Sequence, residues 1–340
     1  MIIFRKKLFN LRTHVILVFV PKETNCFKLA PLEYANYLAD MNGGFIQKNR
    51  ETLEPISDFL KENGICAIAV GSDGKGEKHN QSSTEIIYVQ DQDRKQRLNL
   101  NEIVNKFESE TGGKEYKNFF FVGENGIPKG MIIGQHILSL VDGISTLTYP
   151  DRVLNSMFVC GNELLYQDAR KTVAIEMGQT PKLSRKIRGE IRRQIKNYIS
   201  TCKTGISRGV VCFDKEKQYY DENKNPGEYG FKHSHLRLTQ RELDLITQTF
   251  IRDKKINVSE DIRYLPTRTI DRINYFFKKE ISLTEAYLWF LQRYHEIQEL
   301  YKNEKEPVSL EYDHYVFNLC SEIILKSGEN VLINDNLKNK

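Results

Sequence analysis

Ile65-Cys66-Ala67-Ile68-Ala69-Val70, followed by Gly71-Ser72-Asp73-Gly74-Lys75-Gly76-Glu77, is the stretch on which the fold turns. The continuous run of small apolar residues has strand length and reads as a buried strand. Glycines then make residues 71–76 a glycine-rich turn. Just upstream, Ile46, Leu53, Ile56, Phe59 and Leu60 fall near helical spacing over residues 45–63, and Asn63-Gly64 supplies the stop. The local order is helix, buried strand, Gly-Ser loop.

Working outward, residues 84–89 are again rich in β-formers, 99–110 are helical, and 118–122 give a third strand of aromatic and β-branched character. A small mixed sheet with helices is therefore expected between about Gly43 and Val122. Beyond Tyr149-Pro150 the pattern changes. Residues 163–177, 184–202, 239–254, 269–279 and 282–302 all carry helical periodicity, with a hairpin at 210–213 and 217–220 inserted among them. The fold class is α+β, with a sheet domain over residues 1–150 and a mainly helical domain over 151–340. The tail over 335–340 is expected to fray.

Composition bounds the function. The 340 residues are 40% hydrophobic, enough to bury a core in each of two modest domains. A charged fraction of 28% and a formal charge of +5 do not mark the whole chain as a nucleic-acid binder, so any polyanion site has to be local. The cysteines, Cys26, Cys66, Cys160, Cys202, Cys212 and Cys320, include no CxxC pair, and the histidines do not cluster as a zinc site would require. A reducing, cytoplasmic setting is the expectation. Arg5, Lys6, Lys7 and Arg12 precede an apolar run over 15–20, as in a secretory signal, but the run is short and lacks a small-residue cleavage site. It reads instead as a buried strand closed by Pro21. No stretch approaches the ~20 apolar residues of a membrane span, so a soluble protein without a membrane partner is expected.

The loop has the chemistry of a phosphate site. Glycines let a phosphate approach the backbone closely, while the Ser72 hydroxyl and the N–H groups of the turn can donate to its oxygens. A carboxylate facing the loop from the next strand, Glu85, can hold Mg²⁺ against the same phosphates. A Gly-Ser pair after a strand also occurs in ordinary tight turns. The flanking elements and Glu85 favour the phosphate reading.

These residues resemble a family pattern, Gly-Ser-x-x-Arg-Gly-Glu-x(4)-Ser-Asp-x-Asp, found in bacterial nucleotidyltransferases related to DNA polymerase β, including PII uridylyltransferases and the nucleotidyltransferases of signalling proteins. Aligned without gaps, Gly71 and Ser72 match the Gly-Ser, Lys75 stands at the basic position, Gly76 and Glu77 match, and Ser82 matches the serine. Glu85 stands at the second acid and Ser83 at the first. Arg152 through Leu165 is similar to the segment that opens the helical domain in such relatives, and Lys232 through Gln240 to a stretch of their substrate-side helices. The resemblance implies a nucleotidyltransferase-like domain over 1–150 and a helical substrate or partner domain over 151–340. It also implies transfer of a nucleoside monophosphate from an NTP to a protein, RNA or small-molecule hydroxyl with Mg²⁺ or Mn²⁺. Glu85 and Ser83 then occupy catalytic positions, Gly71, Ser72, Lys75 and Gly76 bind phosphate, and Glu77 supports the basic residue.

Residues two apart on a strand share a face, so Ser83 and Glu85 should both point at the loop, yet only one is a carboxylate. Losing one anionic ligand weakens Mg²⁺ binding. Either another acid compensates, Asp73 or Glu124 being the candidates, or the chemistry differs, or the protein is a catalytically inactive relative that binds a nucleotide or a protein.

Other features have plainer readings. Lys75, Lys78 and His79 form a small basic rim, by default a wet surface, with Lys75 facing phosphate as a point charge in the alternative. His233 and His235 have a spacing strand metal sites use, but no companion ligands. Arg185, Arg188, Arg192 and Lys196 share one helix face, which is a solvated surface by default and a stripe for RNA, nucleotide or an acidic partner otherwise. Tyr275, Phe276, Phe277, Tyr287, Trp289, Phe290 and Tyr294 read as the core of the helical domain. No nucleophile elbow or Walker lysine supports a hydrolase or P-loop enzyme.

Overall fold

A computed structural model of the protein describes residues 29–79, 85–90, 100–112, 130–132, 152–179, 188–189, 236–258, 262–277, 281–302 and 323. These residues fall into two compact units. One draws on Ala39–Ile191 and Gln240–Lys279, the other on Met1–Leu38, Arg192–Thr239 and Glu280–Lys340.

The first unit is organised by strand β1, Ile65–Val70, every residue of which is buried. Helix α1, Pro31–Leu53, a 3-10 turn over Glu54–Ile56 and helix α2, Ser57–Glu62, precede it. Asn63 ends α2 by donating its side-chain amide to the Phe59 carbonyl at 2.8 Å. Strand β2, Glu85–Gln90, runs antiparallel to β1 from Val70↔Glu85 to Ile65↔Gln90. On the other side of β1 lies β4, Met157–Gly161, also antiparallel, with a register shift between Ala67 and Ile68. A short strand β3, Gly130–Ile132, adds parallel to β2, giving the order β3-β2-β1-β4.

Alternation along the strands makes two cores. Cys66, Ile68 and Val70 join Ile87 and Val89 on one face, under Leu165, Ala169 and Val173 of helix α5, Glu163–Gln179, and Ile251 of helix α6, Arg237–Arg252. Ile65, Ala67 and Ala69 join Ile86 and Tyr88 on the other, under Leu53, Leu60 and the residues Ile103 and Phe107 of helix α4, Leu100–Thr111. Cys66 and Cys160 are free and buried, and burial pushes both thiols up, so they stay protonated packing residues.

The expected α+β class and mixed sheet stand, while the helix expected over 45–63 begins at Pro31 and is interrupted by the 3-10 turn, and two further segments differ. Residues 71–76 were expected as a turn; they form a short helix α3, Gly71–Lys75, because Gly76 N–H reaches the Asp73 carbonyl at 3.2 Å and Glu77 N–H the Ser72 carbonyl at 2.8 Å. Residues 157–161, expected to lead into a helical domain, are instead a strand. Its pairing partner is β1, almost a hundred positions earlier, so no local pattern announces it. The sheet thus takes a strand from beyond residue 150. The expected strand over 118–122 lies outside the described residues, as do Glu124, the run over 15–20, the hairpin over 210–220, His233, His235 and the tail.

Helical periodicity after residue 160 is realised in α5, α6, α7 (Thr269–Phe276) and α8 (Ile281–Lys302). Of the basic face at 184–202, only Arg188 is described; it is helical and half-buried, while Arg185, Arg192 and Lys196 lie outside the described residues. The aromatic residues do not make one core. Phe276 packs against the sheet core and edge-on to Phe250, with ring centroids 5.2 Å apart, while Tyr275 beside it is exposed. In the second unit, Tyr287, Trp289, Phe290 and Tyr294 are buried along α8, where the Tyr34 hydroxyl meets His295 Nδ1 at 2.6 Å. Among the described residues, no helix is long and apolar enough to cross a membrane.

Helix α6 carries two buried acids with opposite solutions. Asp244 is held by Arg272 Nη2 and Arg241 Nη1, each at 3.1 Å. Glu242 is as buried, yet among the described residues neither of its carboxyl oxygens has a hydrogen-bond partner, and burial pushes its pKa well above the ordinary carboxylate range. The folded protein keeps this proton where the unfolded chain has released it, so stability is lost as pH rises above the unfolded value, by about 1.4 kcal/mol per pH unit within the window. Replacing Glu242 with Met should therefore stabilise the protein, and by a margin that widens between about pH 5 and about pH 7. Urea unfolding midpoints of both proteins at each pH check this; a constant margin would place the Glu242 carboxyl in water.

Candidate functional site

The polar end of β1 is where α3 and the start of β2 come together. Gly71 has φ +66, and a Cβ there would stand 2.7 Å from Glu85 Oε2, so the Glu85 carboxylate lies directly over the bare Cα of Gly71. Antiparallel register produces this, since Val70, the last residue of β1, pairs with Glu85, the first of β2, and Gly71 follows Val70 directly. Asp73 accepts a hydrogen bond from the Glu85 backbone N–H. The structure thus gathers Gly71, Asp73 and Glu85.

Asp73 is already engaged. Its carboxylate is 1% exposed and lies 3.0 and 3.1 Å from Lys78 Nζ through its two oxygens. Oδ1 sits at ion-pair distance without the alignment of a hydrogen bond. Burial pushes the Asp73 pKa up, while Lys78 and the Glu85 N–H pull it back. Lys78 also lies 4.9 Å over the Phe45 ring and is tied to α1, its N–H donating to Asn42 Oδ1 at 3.0 Å. The expected wet rim is accordingly corrected: Lys78 and His79 are both buried, because Asp73 draws the lysine inward and the chain with it.

Lys75 points another way. Its ammonium donates to Gln240 Oε1 at 2.7 Å, and Gln240 Nε2 donates to both Glu77 oxygens at 3.3 and 3.1 Å. Glu77, itself buried, thus meets Lys75 through the Gln240 amide. Gly76 ends α3 in the left-handed region at φ +68, and the stem of Arg268 lies across it: a Cβ on Gly76 would be 3.0 Å from Arg268 Cγ and 3.1 Å from Cδ. Ser72 is half-buried on α3, while Ser82 and Ser83 lie outside the described residues.

Three participants have no counterpart in the sequence motif. Gln240 belongs to the stretch 232–240 already singled out, but its role as a bridge depends on a partner 165 positions away. Asn42 and Arg268 carry no local signal. Among the described residues, no group of three or more His, Cys, Asp or Glu stands together as a metal cage. No protein-family model matches the sequence, and no curated protein matches it.

The loop is seated most tightly at Gly74, where a Cβ would come within 2.3 Å of the Asn155 carbonyl and 2.7 Å of that of Ala69. Both obstacles are backbone, so a methyl group there has to move strand and loop. Gly74→Ala is expected to destabilise the protein by about 1–3 kcal/mol. Gly43, on α1 with open space around it, is the control, since alanine there should stabilise by about 0.5–1 kcal/mol. Denaturant unfolding of the two variants checks the pair of opposite signs.

Proposed function

We propose that this chain is a nucleotidyltransferase-like protein that binds a nucleoside triphosphate along residues 71–76 and transfers its nucleoside monophosphate to a hydroxyl of a protein, RNA or small molecule. One observation carries the reading: the Glu85 carboxylate stands over Gly71 where the buried strand β1 meets the Gly-Ser segment. That juxtaposition is the arrangement the motif resemblance calls for. It joins an acid, a bare glycine and a serine hydroxyl at one end of a sheet. On this reading the sheet unit is the nucleotidyltransferase-like part, and the helical segments beyond it face the acceptor or a partner.

The residues fit a divalent cation of modest demands. Mg²⁺ is commonly held by one or two carboxylates together with phosphate oxygens and water. Half-buried Glu85 would be its protein ligand, whereas Asp73 would first have to give up Lys78. Bound Mg²⁺ or Mn²⁺ would neutralise phosphate charge and polarise the phosphoryl group under attack. The remaining work belongs to the chain. Gly71 gives the Glu85 carboxylate room over its bare Cα, and Ser72 donates a hydroxyl, while Lys75 is held by Gln240, which also binds Glu77.

The engagement of Asp73 by Lys78 favours a second reading, in which the same site binds nucleotide without turning it over. With Ser83 at the first acidic position, Glu85 is left to hold the cation. Both readings require nucleotide binding that depends on Glu85. Replacing Glu85 with Gln removes charge and little volume, and should lower the metal-dependent affinity for an NTP by about tenfold or more while leaving the thermal midpoint of the free protein near that of the parent. Calorimetric titration with each NTP, in Mn²⁺ and in EDTA, makes the comparison, and incorporation of labelled nucleotide separates transfer from binding alone. Affinity that ignores both the metal and the substitution would remove the basis of the proposal.

A further inference from the structure

We infer that Arg268 is a phosphate-binding residue of this site, its guanidinium taking an oxygen of the triphosphate at the Gly76 end of the loop; the inference rests on the nucleotide reading just given. Sequence alignment puts a basic residue at Lys75, where the family pattern has an arginine. In the structure Lys75 is drawn to Gln240, and Lys78 is drawn beneath the loop to Asp73. Neither ammonium has an uncommitted approach to the surface of the loop.

Arg268 arrives from a different part of the chain. It is the residue preceding α7, with extended backbone at φ -71 and ψ 140, and Arg272 N–H, one helical turn on, donates to its carbonyl at 3.0 Å. That anchorage directs the side chain over Gly76. Its aliphatic stem is in contact with the glycine through Cβ, Cγ and Cδ, and the guanidinium begins one bond further along. Among the described residues this guanidinium makes no hydrogen bond or ion pair. Half-buried arginines ordinarily find a carboxylate or carbonyl, because the head has five N–H donors to satisfy. An arginine whose stem is packed and whose head is uncommitted beside a glycine-rich loop is suited to an anionic ligand, and the planar fork fits phosphate oxygens in pairs.

The two ends of the loop then divide the ligand between them. Glu85, over Gly71, faces the side where a cation would neutralise phosphate charge, and Arg268, over Gly76, supplies the positive charge at the other. The glycine at position 76 is needed twice, for its left-handed backbone and because a side chain would push the Arg268 stem aside.

The test is titration of the full-length chain with nucleoside mono-, di- and triphosphates and with inorganic tripolyphosphate, in the presence of Mg²⁺, for the parent, Arg268→Met, Arg268→Lys and Glu85→Gln. Arg268→Met should weaken triphosphate binding by about tenfold to a hundredfold and flatten the dependence on phosphate number, with Arg268→Lys recovering only part because lysine lacks the fork. Triphosphate binding that survives Arg268→Met but not Glu85→Gln would overturn the role of Arg268 and leave the nucleotide reading intact. Arg268-dependent binding of tripolyphosphate without nucleotide binding would support the anion site and remove the nucleotide reading. No binding of either by the parent would end both. Should Arg268→Met melt at a much lower temperature than the parent, Arg268→Lys and Arg268→Gln, which keep a polar head on the packed stem, decide the outcome in its place.

Discussion

Burial of β1 on both faces is the constraint from which the rest follows. A strand with helices packed above and below and antiparallel partners on either side exposes nothing along its length. Polar chemistry can enter only where the strand ends. At that end Val70 is opposite Glu85, so the residue that opens β2 is held next to the residue that leaves β1. A carboxylate beside a glycine is thus a product of register. A slip of one residue would exchange the side chains that β2 gives to the two cores, placing Ile86 and Tyr88 where Ile87 and Val89 now pack.

Charge around the loop is arranged in layers. Beneath it, Asp73 and Lys78 form a buried pair whose desolvation is substantial and whose partners hold the segment 73–78 in one conformation. Beside it, Lys75 and Glu77 are matched through the Gln240 amide, which tethers the loop to α6. Above it remain Glu85 at one end and Arg268 at the other. The inner pairs balance one another and shape the loop, so the outer acid and base are the groups able to respond to a ligand.

Much of this frame is legible in the sequence, for reasons that separate local from distant causes. The six apolar residues of β1, the stop at Asn63-Gly64 and the periodicity of α4 through α8 are local patterns, and they read correctly. Glu85 is found because it sits at a fixed distance from Gly71 in a short connection. By contrast, β4 reads in the sequence as an approach to a helix, since Met157, Phe158, Val159 and Cys160 in isolation do not say what they pair with. Lys78 and His79 read as surface because the carboxylate that buries Lys78 is invisible to periodicity. Gln240 and Arg268 act across more than 160 positions, a range at which only the fold can bring residues together. The aromatic helices illustrate the same limit, since neighbours in sequence such as Phe276 and Tyr287 serve different cores.

A crystal structure of the chain grown with an NTP and Mn²⁺ tests whether a nucleotide lies along residues 71–76 with a cation at Glu85. Anomalous density for Mn²⁺ at about 2.1 Å from a Glu85 oxygen, with phosphates running along the loop, is the predicted result. An ordered nucleotide bound elsewhere, or a metal coordinated away from Glu85, would contradict the account.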